Sequence, residues 1–294
     1  MYQQLIPIIT PVLICALLGY GWARTGFPFE REFLTRLIMN IGVPCLILNS
    51  IVNLEANSDE FFRMVGIGLV AHACCAAVGA VVLTVARQPL RSFLPPVVFG
   101  NAGNLGIPLC LFAFGSEGLG LAVAFYLVGS VSQFVIGPLF QGREPPWSTL
   151  VKTPTIYAAL GGIILLAMRA QLPLALTNTL QLLGGLAIPL MLLALGNSLA
   201  NFRVERIGLA AGIAGLRLGL GFAIGVSVAA WFDLTGIMRG VVIIETAMPL
   251  AVFNFLLAAR YDRHPEDVAG AILVSTLVSF LTMPALILFA LSGT

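Results

Sequence analysis

Three ionisable side chains, His72, Arg217 and Glu245, lie inside long apolar segments of the 294-residue chain. A charge near the centre of a lipid bilayer costs at least a few kcal/mol, so such residues face the protein interior or a polar cavity. Because a guanidinium matches the geometry of a carboxylate, Arg217 is either a counter-charge for an anionic substrate or a structural partner of Glu245. Glu245 could also bind a coupling ion, either a proton or Na⁺, whereas a hydrogen-bonded core residue is the favoured interpretation of His72.

Two apolar segments are each interrupted by a short polar stretch that ends in proline. The first reads Gly100-Asn-Ala-Gly-Asn-Leu-Gly-Ile-Pro108 and the second reads Glu245-Thr-Ala-Met-Pro249. An unpaired backbone group in lipid costs several kcal/mol, so a broken helix survives only where protein or a polar cavity satisfies it. Broken helices at corresponding places in two halves of a chain point to the binding site of a transporter.

The first break offers amide groups rather than charges to a substrate. Asparagine both donates and accepts hydrogen bonds, and the amides at a helix N-terminus favour an anion. The predicted substrate-binding residues are Asn101, Gly103, Asn104 and Pro108 in the first break, Pro249 and Asn254 in and after the second, and Arg217. The predicted ion-coupling residues are Glu245, Ser130, Ser132 and Gln133.

The composition predicts an integral membrane protein. Apolar residues make up 59% of the chain and charged residues 10%, whereas a soluble domain carries roughly 25% charged residues. With a net charge of +2 and no basic cluster, the sequence does not indicate a nucleic-acid partner. No spacing of His, Cys and acidic residues resembles a metal site, and the three buried ionisable residues make a poor catalytic constellation. We therefore expect no enzymatic activity and no cofactor, apart from Na⁺ or H⁺ as a coupling ion.

The hydropathy pattern predicts ten membrane-spanning helices, since a span needs about 20 mostly apolar residues. The predicted spans are 5–22, 33–52, 61–86, 93–114, 118–140, 155–170, 177–199, 207–231, 237–259 and 267–291. They divide the chain into a first five-helix repeat (1–140), a linker loop (141–154) and a second five-helix repeat (155–294).

The basic residues predict the orientation of the chain, because cytoplasmic loops carry an excess of Lys and Arg. Loops on one side of the predicted spans hold Arg24, Arg31, Arg36, Arg87, Arg91, Arg143, Lys152, Arg203, Arg206, Arg260 and Arg263. The other side holds only Arg63, Arg169 and Arg239. We therefore expect a multi-pass protein of the inner or plasma membrane with both termini outside.

Prolines recur in the same order in both halves of the chain. Pro44, Pro108 and Pro138 have counterparts in Pro189, Pro249 and Pro284 at a nearly constant spacing, and the sequences around the first and third pairs are alike. Because each half holds an odd number of predicted spans, the second half must insert with the opposite orientation. That topology is the inverted repeat of many secondary transporters.

The sequence resembles the auxin efflux carrier family of bacteria and plants. The resemblance rests on Asn101-Ala-Gly-Asn-Leu-Gly-Ile-Pro-Leu109, Ala247-Met-Pro-Leu-Ala-Val-Phe-Asn254, Leu257-Ala-Ala-Arg-Tyr261 and Ser275-Thr-Leu-Val-Ser279 followed by Pro284, and it covers essentially the whole chain. It implies that spans 3–5 and 8–10 form a transport domain in which broken spans 4 and 9 cross. Spans 1, 2, 6 and 7 would form a scaffold that often dimerises, here as a homodimer. It also implies elevator-type transport of a small organic anion bound at the crossing.

Glu245 departs from this family's pattern, which has small neutral residues at that place. The related bile-acid sodium symporters, which share the fold, use an acidic residue in span nine to hold Na⁺. A sodium-coupled symporter with Glu245 as ion ligand is therefore the alternative function, and a channel or a ligand sensor on the same fold is a third. The long cytoplasmic loop of the plant exporters is absent, so its regulation does not transfer.

Overall fold

The described part of the molecule is all-helical. A computed structural model describes residues 2–53, 58–141, 153–168 and 172–292. The regular elements in these ranges are helices, and the one β-type pairing there is an antiparallel bridge between Gly100 and Leu250. Most of the predicted linker (142–152), with Arg143 and Lys152, lies outside the described residues, as does Arg169.

The described ranges contain twelve α-helices: α1 (Tyr2–Arg24), α2 (Arg31–Leu37), α3 (Val43–Val52), α4 (Ser58–Val85), α5 (Leu90–Val98), α6 (Ile107–Gln141), α7 (Pro154–Ala167), α8 (Leu174–Asn201), α9 (Ile207–Trp231), α10 (Gly236–Thr246), α11 (Phe253–Tyr261) and α12 (Pro265–Leu291). The backbone of α6 leaves the helical region at Gly115 (φ 68°, ψ −153°), where a positive φ suits glycine. This bend divides α6 into two helical parts.

Two π-helical turns, Ile38–Gly42 and Ala102–Gly106, directly precede α3 and α6. In each case a proline, Pro44 or Pro108, is the second residue of the helix that follows. Proline has no N–H, and its ring crowds the carbonyl four residues before it, so the regular α-helical hydrogen bonds cannot continue through this place. The prolines therefore account for the irregular helical turns before α3 and α6.

Seven helical segments in the described residues are long and apolar enough to cross a membrane: Leu5–Arg24, Arg31–Val52, Asp59–Val85, Ala102–Gln133, Leu174–Asn201, Ile207–Trp231 and Pro265–Leu291. The apolar helix Pro154–Leu166 is shorter. Large apolar side chains such as Trp231 and Leu281, which are 84% and 82% exposed, cover the outside of the molecule. Such an apolar surface suits contact with lipid. The predicted all-helical membrane protein is confirmed.

The helices pack as two groups. In one group, α1 packs on α8, and α3 packs on both α7 and α8. In the other, α4 packs on α6 and α9, while α10 packs on α6, α9 and α12. Glycines permit the closest contacts in the first group, because a Cβ at Gly196 would overlap the backbone carbonyl of Ala16 on α1. The two predicted broken spans, 93–114 and 237–259, belong to the second group as α5–α6 and α10–α11.

The contact between α1 and α8 predicts a position-specific effect of a single methyl group. Gly196→Ala forces the two backbones apart, and overpacking of this kind costs about 1–3 kcal/mol. We expect a lower unfolding temperature in detergent, measured by a thermal-shift assay. The matched control is Gly185→Ala on the same helix, where a Cβ meets no atom within 4 Å. Equal unfolding temperatures for the two variants would show that this contact is not tight.

Candidate functional site

The two interrupted helices meet at their breaks. After α5 ends at Val98, the chain is extended through Phe99 and Gly100, and after α10 ends at Thr246 it stays non-helical until α11 begins. The two stretches pair antiparallel: the Asn101 N–H donates to the Pro249 carbonyl at 2.7 Å, and the Ala251 N–H donates to the Phe99 carbonyl at 3.4 Å. Each break therefore satisfies backbone groups that the other leaves free, as lipid surroundings require.

Arg217, in the middle of α9, holds the ends of both interrupted helices. Its guanidinium donates four hydrogen bonds to backbone carbonyls: Nη1 to Val97 (2.9 Å) and Val98 (3.1 Å), Nη2 to Thr246 (2.9 Å), and Nε to Met248 (2.9 Å). The carbonyls at a helix C-terminus lack partners within the helix and carry partial negative charge. One buried cation therefore satisfies carbonyls at the C-terminal ends of α5 and α10.

The predicted pairing of Arg217 with Glu245 does not match this arrangement. No ion pair joins Arg217 to Glu245 among the described residues, because the guanidinium is directed to the four carbonyls. The predicted pair is therefore corrected. The role of Arg217 as a substrate ligand stays a prediction, and its side chain does not line the cavity of about 70 Å³ beside the crossing. Gly100 is the sequence signal for its position, because a Cβ there would overlap Nη2.

A cavity of about 70 Å³, which we call the amide-lined cavity, lies beside the crossing of the two breaks. It brings together five predicted residues, which are Asn101, Gly103, Asn104, Ser130 and Gln133. The sequence interpretation did not place His72, Tyr126, Met39 or Phe253 there, although all four line it. A signal for Tyr126 was available in Gly103, whose missing side chain makes room for the tyrosine ring, with a Cβ only 2.8 Å from it. The described lining contains no Lys, Arg, Asp or Glu.

Asn101 is a polar residue of this lining whose side-chain donor is not satisfied. The residue is 3% exposed, and its side-chain Nδ2 donor has no hydrogen-bond partner. A buried donor without a partner costs about 1–3 kcal/mol. Asn101 also lies directly before the π-helical turn that leads into α6, so its side chain is close to the positive end of a helix. The position suits a negatively charged group of a ligand.

Other predicted residues lie behind the cavity. Gln133 donates from Nε2 to the Asn254 side-chain oxygen at 2.9 Å, and Asn254 donates from Nδ2 to the Phe99 carbonyl at 2.9 Å. Asn254 therefore orients Gln133 and holds the first break, rather than lining the cavity. Pro249 contributes its carbonyl to the bridge. Pro108 and Ser132 are not part of the described lining.

A second cavity of about 80 Å³ shares Met39, Asn104 and Phe253 with the first. Its other walls come from both helix groups: α8 contributes Met191 and Leu195, and the end of the second break contributes Val252. Most of these walls are apolar, with the hydroxyl groups of Thr35 and Ser198 as exceptions. The two cavities together offer a ligand an amide-rich side and an apolar side.

Glu245 occupies a separate, smaller place at the C-terminal end of α10. It is 1% exposed, its Oε1 lies 3.7 Å from the Cys110 thiol, and its Oε2 has no hydrogen-bond partner. A Cβ at Gly106 would overlap the carboxyl group, so this glycine lets the acid approach the first break. A cavity of about 10 Å³, just large enough for a water molecule, has Glu245, Arg217, His72 and Cys75 in its lining.

The surroundings of Glu245 do not fit a sodium ion. Transporters hold Na⁺ with carbonyls freed by broken helices, but here Arg217 takes the carbonyls of Val97, Val98, Thr246 and Met248. Within the described residues, no group of three or more His, Cys, Asp and Glu side chains could hold a metal ion. Ser130 and Gln133, two of the other predicted ion-coupling residues, line the amide-lined cavity instead.

Comparison with known sequences identifies the family of this chain. The sequence profile of the membrane transport protein family matches residues 5–146 and 143–287, which is nearly the full length. The chain belongs to this family. The predicted resemblance to the auxin efflux carriers is thereby confirmed, and the family assigns the chain to transport proteins.

Relatives within the family cover the chain to different extents. A protein named "Uncharacterized transporter" from Methanothermobacter thermautotrophicus is 28% identical over 94% of this chain and 95% of its own. A protein from Rhizobium meliloti named "Putative malonate transporter" is 23% identical over 99% of this chain and 97% of its own. Auxin efflux carrier component 1 from Arabidopsis thaliana is 26% identical over 45% of this chain and 22% of its own.

The four hydrogen bonds of Arg217 predict that lysine cannot replace it. An ammonium keeps the charge but lacks the planar, five-donor fork that reaches carbonyls of two helices. Arg217→Lys therefore leaves buried carbonyls unpaired, at about 1–3 kcal/mol for each. We expect a clear loss of thermal stability in detergent. The exposed Arg203→Lys is the control, and equal unfolding temperatures for the two variants would contradict this role.

Proposed function

We propose that this family member is a secondary transporter that moves a small organic anion across the membrane. The observation that carries the proposal is the buried, unpartnered Nδ2 of Asn101 at a cavity beside two crossing helix breaks. An amide donor next to a helix N-terminus suits a carboxylate, and the described cavity lining has no acidic group to repel one. The name of the Rhizobium relative, which covers nearly the whole chain, supports the same class of substrate.

The transport mechanism proposed is elevator-type alternating access on two inverted five-helix repeats. Three features support the repeats: the prolines recur in order, both halves contain one interrupted helix, and each interrupted helix precedes a long final helix. The scaffold comprises α1, α2–α3, α7 and α8, and the transport domain comprises α4–α6 and α9–α12. The packing of the helices into these two groups supports this division, and the second cavity lies between them.

The orientation proposed places both termini outside the inner or plasma membrane, because basic residues are concentrated in the loops of the opposite side. Association as a homodimer through the scaffold helices belongs to the same proposal. The exposed apolar side chains of α1 and α8, such as Leu17 and Leu182, are compatible with either lipid or a second copy at this surface.

The substrate class is testable on the purified protein with a thermal-shift screen of small mono- and dicarboxylates. A ligand that binds the folded state raises the unfolding temperature in proportion to RT ln(1 + [L]/Kd). Running each carboxylate with NaCl and with choline chloride also tests the sodium-coupled alternative, which requires sodium-dependent stabilisation. Saturable uptake against a concentration gradient in proteoliposomes separates a transporter from a channel.

Asn101→Ala is expected to remove most of the stabilisation that a carboxylate gives. A hydrogen bond to a charged group contributes about 1.5–3 kcal/mol, so the Kd should rise roughly 10- to 100-fold. The same screen measures this change, and uptake by proteoliposomes should fall in parallel. Asn201→Ala, at the exposed end of α8, is the control and should keep the wild-type Kd. An unchanged Kd in Asn101→Ala would remove the first break from the site.

A further inference from the structure

The small cavity beside Glu245 contains a group that anion binding leaves unused. We propose that Glu245 is a proton-binding site of the transport cycle, reached from the amide-lined cavity past His72, so that anion movement is coupled to protons rather than to Na⁺. This inference rests on the proposed function, and it deepens that function by naming the coupling ion. The inference rests on the positions of the Glu245 and His72 side chains and on the hydrogen-bond partners around them.

The protonation state of the Glu245 carboxyl group depends on its surroundings. It is completely enclosed, and no cation neutralises it among the described residues, because four carbonyls hold the nearby guanidinium of Arg217. A buried carboxylate without a paired charge is costly, whereas a protonated carboxyl group is neutral and gains a donor. Binding of a proton therefore satisfies this site, and its unpartnered Oε2 is the atom that can take it.

His72 connects Glu245 with the amide-lined cavity. Its side chain contributes to the lining of both cavities, the one with Asn101 and the one with Glu245. The Nδ1 atom lies 2.7 Å from the Gly68 carbonyl, which only accepts, so Nδ1 carries a hydrogen and Nε2 is the basic atom of the neutral ring. Nε2 lies beside Gly129, because a Cβ built on Gly129 would be 2.8 Å from it. Gly129 lines the amide-lined cavity. The basic nitrogen is thus on the side from which a proton would arrive.

The other titratable groups around the pair do not offer a competing site of the same kind. Cys75 comes from α4, Cys110 and Tyr126 from α6, and Arg217 from α9. Cysteine and tyrosine ordinarily release protons at higher pH than a carboxyl group, and arginine stays charged. The acidic residues of α12, Glu266 and Asp267, lie in its first turn, where Asp267 pairs with Arg206. Glu245 is therefore the acid of this cluster that can change its charge during transport.

The proton balance is simple. A hydronium ion in the amide-lined cavity transfers a proton to His72 Nε2, which leaves water and an imidazolium. The Nε2–H bond then breaks as the proton passes through the water-sized space to Oε2 of the Glu245 carboxylate, which becomes a carboxylic acid. The ring returns to its neutral form with Nδ1–H still donating to the Gly68 carbonyl. Only N–H and O–H bonds form and break, and release follows the reverse path. One proton moving together with one singly charged anion makes the transfer electrically neutral.

Infrared spectroscopy of the purified protein tests proton binding without any substrate. A protonated Glu245 gives a carboxylic-acid carbonyl band that shifts in deuterium oxide and disappears as the pH is raised. We expect Glu245→Gln to lack this titrating band and the exposed Glu205→Gln to retain it. Absence of the band in the wild type at low pH, or an unchanged band in Glu245→Gln, would overturn the proposal. Loss of the wild-type band on replacing choline with Na⁺ would assign the site to sodium instead.

His72→Gln separates a relay from a merely structural histidine. A positioned acid–base group accelerates proton transfer roughly 100-fold or more, so hydrogen–deuterium exchange of the Glu245 band should slow by about that factor while the band itself remains. An unchanged exchange rate would remove His72 from the path.

Coupling itself is measured with malonate as the probe in proteoliposomes that contain a pH-sensitive dye. Malonate uptake by the wild type should move protons in the same direction, and uptake by Glu245→Gln should not. Malonate uptake without proton movement would contradict proton coupling and leave the proposed anion transport intact. If malonate is not taken up but the infrared band is assigned to Glu245, malonate is excluded as the transported anion and the proton-binding site stands.

Discussion

The hydrogen bonds between Arg217 and four backbone carbonyls are the interaction on which the central part of this structure depends. Two helices stop in the interior of a membrane protein, and each stop leaves carbonyls without partners. A single guanidinium in α9 reaches both ends because its donors are fixed in a plane and point in different directions. Without it, the breaks at Val98 and Thr246 would present negative partial charge to an apolar surrounding.

Satisfying the carbonyls leaves the two sides of the crossing electrically different. The C-terminal ends of α5 and α10 are closed by a cation, whereas the start of α6, next to Asn101, has a donor without a partner. The amide-lined cavity lies beside Asn101, and the carboxyl group of Glu245 lies between the C-terminal end of α10 and the first turn of α6. The proposed anion site and the proposed proton site therefore use different atoms.

The sequence predicted the membrane-spanning character, the two breaks and most of the amide-bearing residues around the amide-lined cavity. These features follow from local chemistry: apolar length defines a span, and proline and glycine beside asparagine mark a break. The partner of Arg217 was not predictable in the same way. Backbone carbonyls exist at every residue, so composition does not reveal which of them a buried cation will contact. The contact of Asn254 with Gln133 was not predictable for a similar reason, because the two residues lie far apart in the sequence.

The antiparallel bridge between Gly100 and Leu250 has a consequence for the assembly of the molecule from its two halves. Each half brings an unwound stretch, and backbone groups of both stretches pair across the crossing: the Asn101 N–H with the Pro249 carbonyl, and the Ala251 N–H with the Phe99 carbonyl. A half inserted alone would expose these groups to lipid, so neither is a self-sufficient folding unit in a bilayer. The crossing therefore links biosynthesis to function: the same pairing that shapes the site forms only after the second half has been inserted.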